Sequence, residues 1–173
     1  MALRQSYITS DFWGEGDRDW SWIKYLYGLY HVEAIRVRAD NARGGSPTKQ
    51  IQDMIDVAKR KFYDRRTAMF DTDRGEEEVN EALELAKNNG IYCILSEKNI
   101  ECEILKLRGV SARRLSRAMT GAHAAKKEFQ IEFNLESEND DVEWSRYFPK
   151  SFLDAARSTN HWLDEIISRI ERL

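Results

Sequence analysis

Short apolar runs alternate along the chain with stretches whose apolar residues recur every three to four positions, a pattern that predicts strand-helix units around a mostly parallel sheet. Strands are predicted over Val32 to Arg38 (VEAIRVR), over Thr67 to Phe70 closing on Asp71, and over Ile91 to Leu95 (IYCIL). Tyr7 to Trp13 is a weaker first strand, interrupted by Ser10 and Asp11. Helices are predicted over Asp17 to Tyr30, over Thr48 to Phe62 with Ile51, Ile55 and Ala58 in step, and over Glu76 to Asn89, where Asn89-Gly90 is the stop. Asn41 to Pro47, with Gly44 and Gly45, reads as a turn. Beyond the fourth strand come helices over Asn99 to Leu107 and Ser111 to Glu128, a polar and acidic stretch from Gln130 to Trp144, and a long amphipathic helix from Lys150 to Leu173. The expected fold is α/β, a Rossmann-like, mostly parallel sheet of about four strands flanked by helices. Residues 1–110 would form this core, and residues 111–173 a C-terminal helical extension packed on the same domain.

The 173 residues suffice for one such domain. Two prolines and the lack of repeats or Gly/Ser-rich linkers agree with that. A net charge of -3 excludes a uniformly basic nucleic-acid binder, so any such surface has to be a local patch. Cys93 and Cys102 show neither CxxC nor Cys/His ligand spacing, which argues against a disulfide framework or a structural zinc. The start of the chain lacks a basic segment followed by an apolar run, and no stretch approaches the length of a membrane span. The expectation is a cytoplasmic chain with no membrane partner.

Candidate chemistry lies where the chain leaves the carboxyl ends of the strands. Glu15-Gly16 follows the first strand, Asp71-Thr72-Asp73 the third, and Asn99 and Glu103 lie in the loop and helix after the fourth. Converging carboxylates of this kind suit a hard divalent cation, Mg²⁺ or Mn²⁺. On a helix beginning near Asn99, Glu103 falls within the apolar arc of Ile100, Ile104 and Leu107 and would point at the site, whereas Glu101 would face outward. The bland alternative is that Asp71 to Asp73 form only a turn and a helix cap.

These residues also carry a resemblance. FWGEGDRDWSWIKYL resembles the strand-to-helix EGxTE segment of RloB-like and related TOPRIM-like proteins, with Arg18 and Asp19 in place of the Thr and Glu. AMFDTDRG is similar to their strand-ending DxD, and SEKNIECEIL sits at their SNPCFE-like segment, with Asn99 and Glu103 matching and Ile100 and Glu101 replacing Pro-Cys. The order agrees over about residues 7–110, with weaker similarity through AAKKEF and YFPKSFLDAAR. The resemblance implies a TOPRIM-like domain in which Glu15, Asp71 and Asp73 are catalytic, Asp71, Asp73, Glu15 and Glu103 hold Mg²⁺ or Mn²⁺, and Gly16, Asp19 and Asn99 support them. It further implies a nuclease of bacterial anti-phage defence.

Between Lys106 and Lys127 the chain holds Lys106, Arg108, Arg113, Arg114, Arg117, Lys126 and Lys127 without an acidic residue. Such a stripe suits the phosphates of DNA or RNA, and Arg36, Arg38, Arg43 and Lys49 could extend it. The alternative is a solvated face paired with the acidic segment from Glu128 to Glu143. The helix from Asp17 to Tyr30 is apolar nearly all round, with Trp20, Ile23, Tyr27 and Tyr30 on one face and Trp22, Tyr25 and Leu29 outside it. One face enters the core; the other is covered either by the C-terminal helix, through Phe152, Trp162 and Leu163, or by a second copy or partner protein. His31, His123 and His161 lie scattered, with no catalytic spacing.

The leading expectation is a metal-dependent nuclease acting on DNA or RNA phosphodiesters, with Glu15 as general base or ion ligand. A rival is a haloacid-dehalogenase-like phosphatase with Asp71 as nucleophile and Asp73 as acid/base, which the chain resembles at the DxD alone. The third reading is a binding or scaffold module with an inactive TOPRIM-like cluster.

Overall fold

The computed structural model describes residues 8–33, 35–41, 45–137 and 140–171. Strands β1 (Ile8–Gly14), β2 (Ile35–Asn41), β3 (Arg65–Asp71) and β4 (Tyr92–Ser96) form an all-parallel sheet in the order β2-β1-β3-β4. Trp13 of β1 lies beside Ala68 of β3, and Asp71 of β3 beside Ser96 of β4. Helix α1 (Asp17–Tyr30) joins β1 to β2, α2 (Pro47–Ala58) joins β2 to β3, and α3 (Glu76–Asn88) joins β3 to β4. Because β2 and β3 flank β1 on opposite sides, right-handed crossovers put α1 on one face of the sheet and α2 on the other.

Two cores follow from the two-residue period of the strands. Phe12, Met69 and Ile94 point to the face that holds Trp22, Ile23 and Leu26 of α1. Trp13, Ala68 and Phe70 point to the opposite face, against Ile51 and Met54 of α2 and Val79, Ala82 and Ala86 of α3. Ser10 and Asp11 are inside β1 after all, because the buried Asp11 carboxylate accepts the Trp13 indole N–H at 2.8 Å. Tyr7, expected to open this strand, lies outside the described residues. Strand β2 runs from Ile35 rather than Val32, because His31 caps α1 and the Val32 carbonyl takes the Ile35 amide in a tight turn. Ser46 caps α2 by accepting the Lys49 amide, with Pro47 at the first helical position.

The remaining helices are α4 (Ile100–Arg108), α5 (Ala112–Ala118), α6 (Ala122–Phe133), α7 (Trp144–Tyr147), α8 (Lys150–Ala156) and α9 (His161–Glu171). Both long helices expected in this half are broken, and in each case hydroxyls and amides divert the backbone. Thr120 bonds back to the Arg117 carbonyl and ends α5 before Gly121 opens α6. Ser158 and Thr159 bond back to Ala155 and Ala156, and the Asn160 side chain then accepts the Leu163 amide to start α9. These helices cover the second face of α1. Trp22 lies edge-on to Trp144 and Phe148 and stacks on Trp162, and the Tyr25 and Tyr30 hydroxyls reach Phe148 O and Asp154. Of the two covers expected for the aromatic helix, the C-terminal segment is the one present. Among the described residues no helix is long and apolar enough to cross a membrane.

Candidate functional site

The chain leaves β1 and β3 in opposite directions, and the crevice between their carboxyl ends is where ligands bind in open α/β sheets. A cleft of about 430 Å³ opens there. Its inner wall is Glu15, Asp19, Asp71 and Glu101, and its outer wall includes Arg18, Lys126, Phe129, Gln130, Asp140 and Asp141.

Local sequence explains how the acids meet. A Cβ on Gly14 would lie 2.3 Å from the Asp19 Cβ, so only a glycine lets the first turn of α1 fold back onto the end of β1. That approach buries Asp19 to 4 % exposure, with its Oδ2 accepting the Gly16 amide at 2.9 Å. Glu15 Oε2 accepts the Asp71 amide at 3.3 Å, which ties the β1 exit to the end of β3, and Arg74 stands 3.6 Å from Oε1. Thr72 fixes the next residue by donating its amide and hydroxyl to Ser96 O while its hydroxyl accepts the Lys98 amide. From the opposite face the buried Gln50 side chain donates to both Trp13 O and Met69 O, clamping the two strands just before they diverge.

Crowding acids in a water-poor crevice raises their proton affinity. Asp71 is pushed up to about 10, chiefly by desolvation and then by the charges of Asp19, Glu15, Glu101 and Asp73. Asp19 is pushed up to about 8, again by burial first; the Gly16 hydrogen bond opposes the rise, and Glu101 and Glu15 add to it. Glu15 is raised by burial, against the Asp71 amide and Arg74. The Oδ1 atoms of Asp19 and Asp71 are buried and carry no hydrogen bond.

The sequence-predicted residues divide accordingly. Glu15, Gly16, Asp19 and Asp71 come together in the cleft. Asp73 is exposed beside it and acts on Glu15 and Asp71 through its charge. Glu103 is a correction: its Oε1 accepts the Glu97 amide at 2.8 Å and pairs with Lys106 at 3.1 Å, while Glu101 lines the cleft. The helical-arc argument fails because α4 is buried on nearly every side, leaving no outward face for Glu101 to take. Asn99 caps α4 by accepting the Cys102 amide and does not line the cleft.

Much of the basic stripe is spent inside the molecule. Lys106 pairs with Glu97 and Glu103, Arg108 with Glu132, Arg114 with Glu128 and Glu132, and Arg117 with Glu128. Arg113 and Lys127 are exposed, and Lys126 lines the cleft. Lys49 pairs with Asp53 and Arg38 donates to the Tyr63 hydroxyl, while Arg43 lies outside the described residues. Cys93 and Cys102 are free thiols, both pushed up to about 11 by burial.

The sequence reading missed Glu101, Arg18 and Gln50. The four-residue step from Glu15 to Asp19 across a helix start was a usable signal for Asp19 as a full member of the cluster.

As the side chains stand, no three acidic, histidine or cysteine groups among the described residues are arranged to hold a metal ion. The donor set nonetheless suits a hard divalent cation, because the available atoms are carboxylate oxygens and two of them, the Oδ1 atoms of Asp19 and Asp71, carry no hydrogen bond. No family model matches the chain, and neither a curated protein nor a solved structure does. Fold and site together define a parallel-sheet α/β protein with an acidic cleft at its topological switch point.

Proposed function

We propose that this chain is a divalent-cation-dependent phosphodiesterase of the nuclease type, built on a TOPRIM-like version of the parallel fold. The observation that carries the reading is the pair of buried, unbonded oxygens on Asp19 and Asp71, two side chains that line one cleft with Glu15 and Glu101. Buried carboxylates without partners are costly, and a bound cation is the ligand that relieves them. Asp71 and Asp19 would hold Mg²⁺ or Mn²⁺, with Glu101 in the place first expected of Glu103 and Asp73 adding charge at the rim. When bound, such an ion polarises a phosphoryl oxygen and lowers the proton affinity of water. Glu15, raised by burial and steadied by the Asp71 amide, would receive the proton of the attacking water. The water oxygen bonds to phosphorus, the ester P–O bond breaks, and a proton returns to the departing alcohol. The earlier resemblance would put this activity in anti-phage defence.

The binding-module reading has one observation in its favour, the neutralisation of Lys106, Arg108, Arg114 and Arg117 by internal acids. One experiment separates the two: Mg²⁺ and Mn²⁺ titrations followed by melting temperature and by cleavage of DNA and RNA, for the wild type and Asp71→Asn. Ion-dependent stabilisation and cleavage, both lost in the variant, support the enzyme. No effect of either ion on either readout overturns it in favour of the module.

A further inference from the structure

The charge on the cleft walls bears on what can enter. Outside the inner acids, the lining includes Asp17, Asp140 and Asp141, against Arg18 and Lys126 as the cations. Arg18 is itself set among acids: it donates to Asp140 O at 3.1 Å, and Glu101, Asp141, Asp140 and Asp19 all act on its charge. Its guanidinium lies over the Phe129 ring, 4.8 Å from the centroid. Of the cations that would have continued a phosphate track along α5 and α6, Arg114 and Arg117 are turned to Glu128 and Glu132, while Arg113 and Lys127 stay exposed.

Resting on the cation-dependent reading above, we propose that the cleft takes a single phosphodiester from a nucleotide-sized ligand or a strand end, and not the continuous backbone of a polymer. A volume of about 430 Å³ suits one nucleotide-sized unit. One phosphate is neutralised at the inner carboxylates by the ion they hold, beside Lys126. The next phosphate of a longer strand meets the Asp140-Asp141 rim, where like charges repel. The unbonded oxygen of Asp19, a side chain 4 % exposed, marks the inner end of the cleft as the charged subsite.

The test compares a dinucleotide with a single strand of about twenty nucleotides, in Mn²⁺, by kcat/KM and by fluorescence-anisotropy binding across salt concentration. We expect kcat/KM per molecule to agree within about threefold, so that the long strand is the poorer substrate per scissile bond, and log affinity to fall with log salt at a slope near −0.7 for both, as for one contacted phosphate. Asp141→Lys should raise kcat/KM for the long strand about tenfold, and leave the dinucleotide within about twofold, because rim charge acts on association with the extended polyanion. A hundredfold preference for the long strand with a slope steeper than about −3 overturns the proposal and leaves the nuclease reading standing. Ion-dependent stabilisation without binding of either oligonucleotide also overturns it, and absence of any ion effect removes both readings. An unchanged length preference in Asp141→Lys counts against the rim argument independently of the others.

Discussion

Replacing Asp71 by Asn should stabilise the ion-free protein, by an amount that grows with pH. In the folded chain the Asp71 carboxyl is pushed up to about 10, mainly by desolvation, whereas in the unfolded chain an aspartate titrates near 3.9. Between about pH 5 and pH 8 the native state therefore keeps a proton that the unfolded state has released, and stability falls by about 1.4 kcal/mol per pH unit per retained proton. Over three units one retained proton costs about 4 kcal/mol. Carboxylates held low by their partners, such as Asp56, Asp64 and Asp154, have finished titrating below this window and leave the slope alone. The Asn side chain has no proton to retain, so the gap in unfolding free energy between Asp71→Asn and wild type should widen by about 1.4 kcal/mol per unit. Urea denaturation in a chelator at several pH values measures the gap directly. A gap that stays constant, or closes as pH rises, refutes the picture of a carboxyl kept neutral by its surroundings.

The same linkage makes divalent ions better stabilisers at about pH 8 than at pH 6, since they displace protons; at a hundred times Kd they should add about 2.7 kcal/mol to wild type, and Asp19→Asn should lose most of this in a thermal-shift titration. Gly14→Ala should cost about 1–3 kcal/mol in chemical denaturation, because its methyl meets the Asp19 Cβ, and a cost below about 0.5 kcal/mol would show that the α1 turn yields freely. Glu101→Gln should lower phosphodiester cleavage about a hundredfold while Glu103→Gln changes it less than about threefold; equal effects would contradict the placement of the two side chains. Arg114→Ala should destabilise by about 1–3 kcal/mol by leaving the buried Glu128 short of a partner, whereas Arg113→Ala, at an exposed side chain, leaves melting unchanged.

The parallel fold was legible because strands β3 and β4 are apolar and α2 and α3 keep their apolar residues at helical spacing. The placement of Glu15 and Asp71 on one sheet edge followed from that topology, whereas their contact depends on β1 and β3 being neighbours, a strand order that spacing alone leaves open. What the pattern could not reveal came from burial on several sides. α4 is buried on nearly every side over its first two turns, so periodicity could not separate Glu101 from Glu103. The cation stripe looked continuous along the chain because its partners, Glu128 and Glu132, come one helix later and reach it only when α5 and α6 fold back on each other. The breaks at Thr120 and Asn160 are made by side chains that bond to backbone over three residues, a local competition that hydrophobic spacing does not record.

The pairing of Glu15 with the Asp71 amide spans 56 positions, and it has a kinetic consequence. Parallel neighbours need a crossover between them, so β1 and β3 meet late, after distant segments have been gathered. Ligands scattered along an extended chain have no common geometry to offer a cation. An ion that recognised this cleft would therefore act after the folding barrier is crossed, leaving the rate of folding as it was and slowing the rate of escape. The switch point thus doubles as a clasp that only the finished molecule can close.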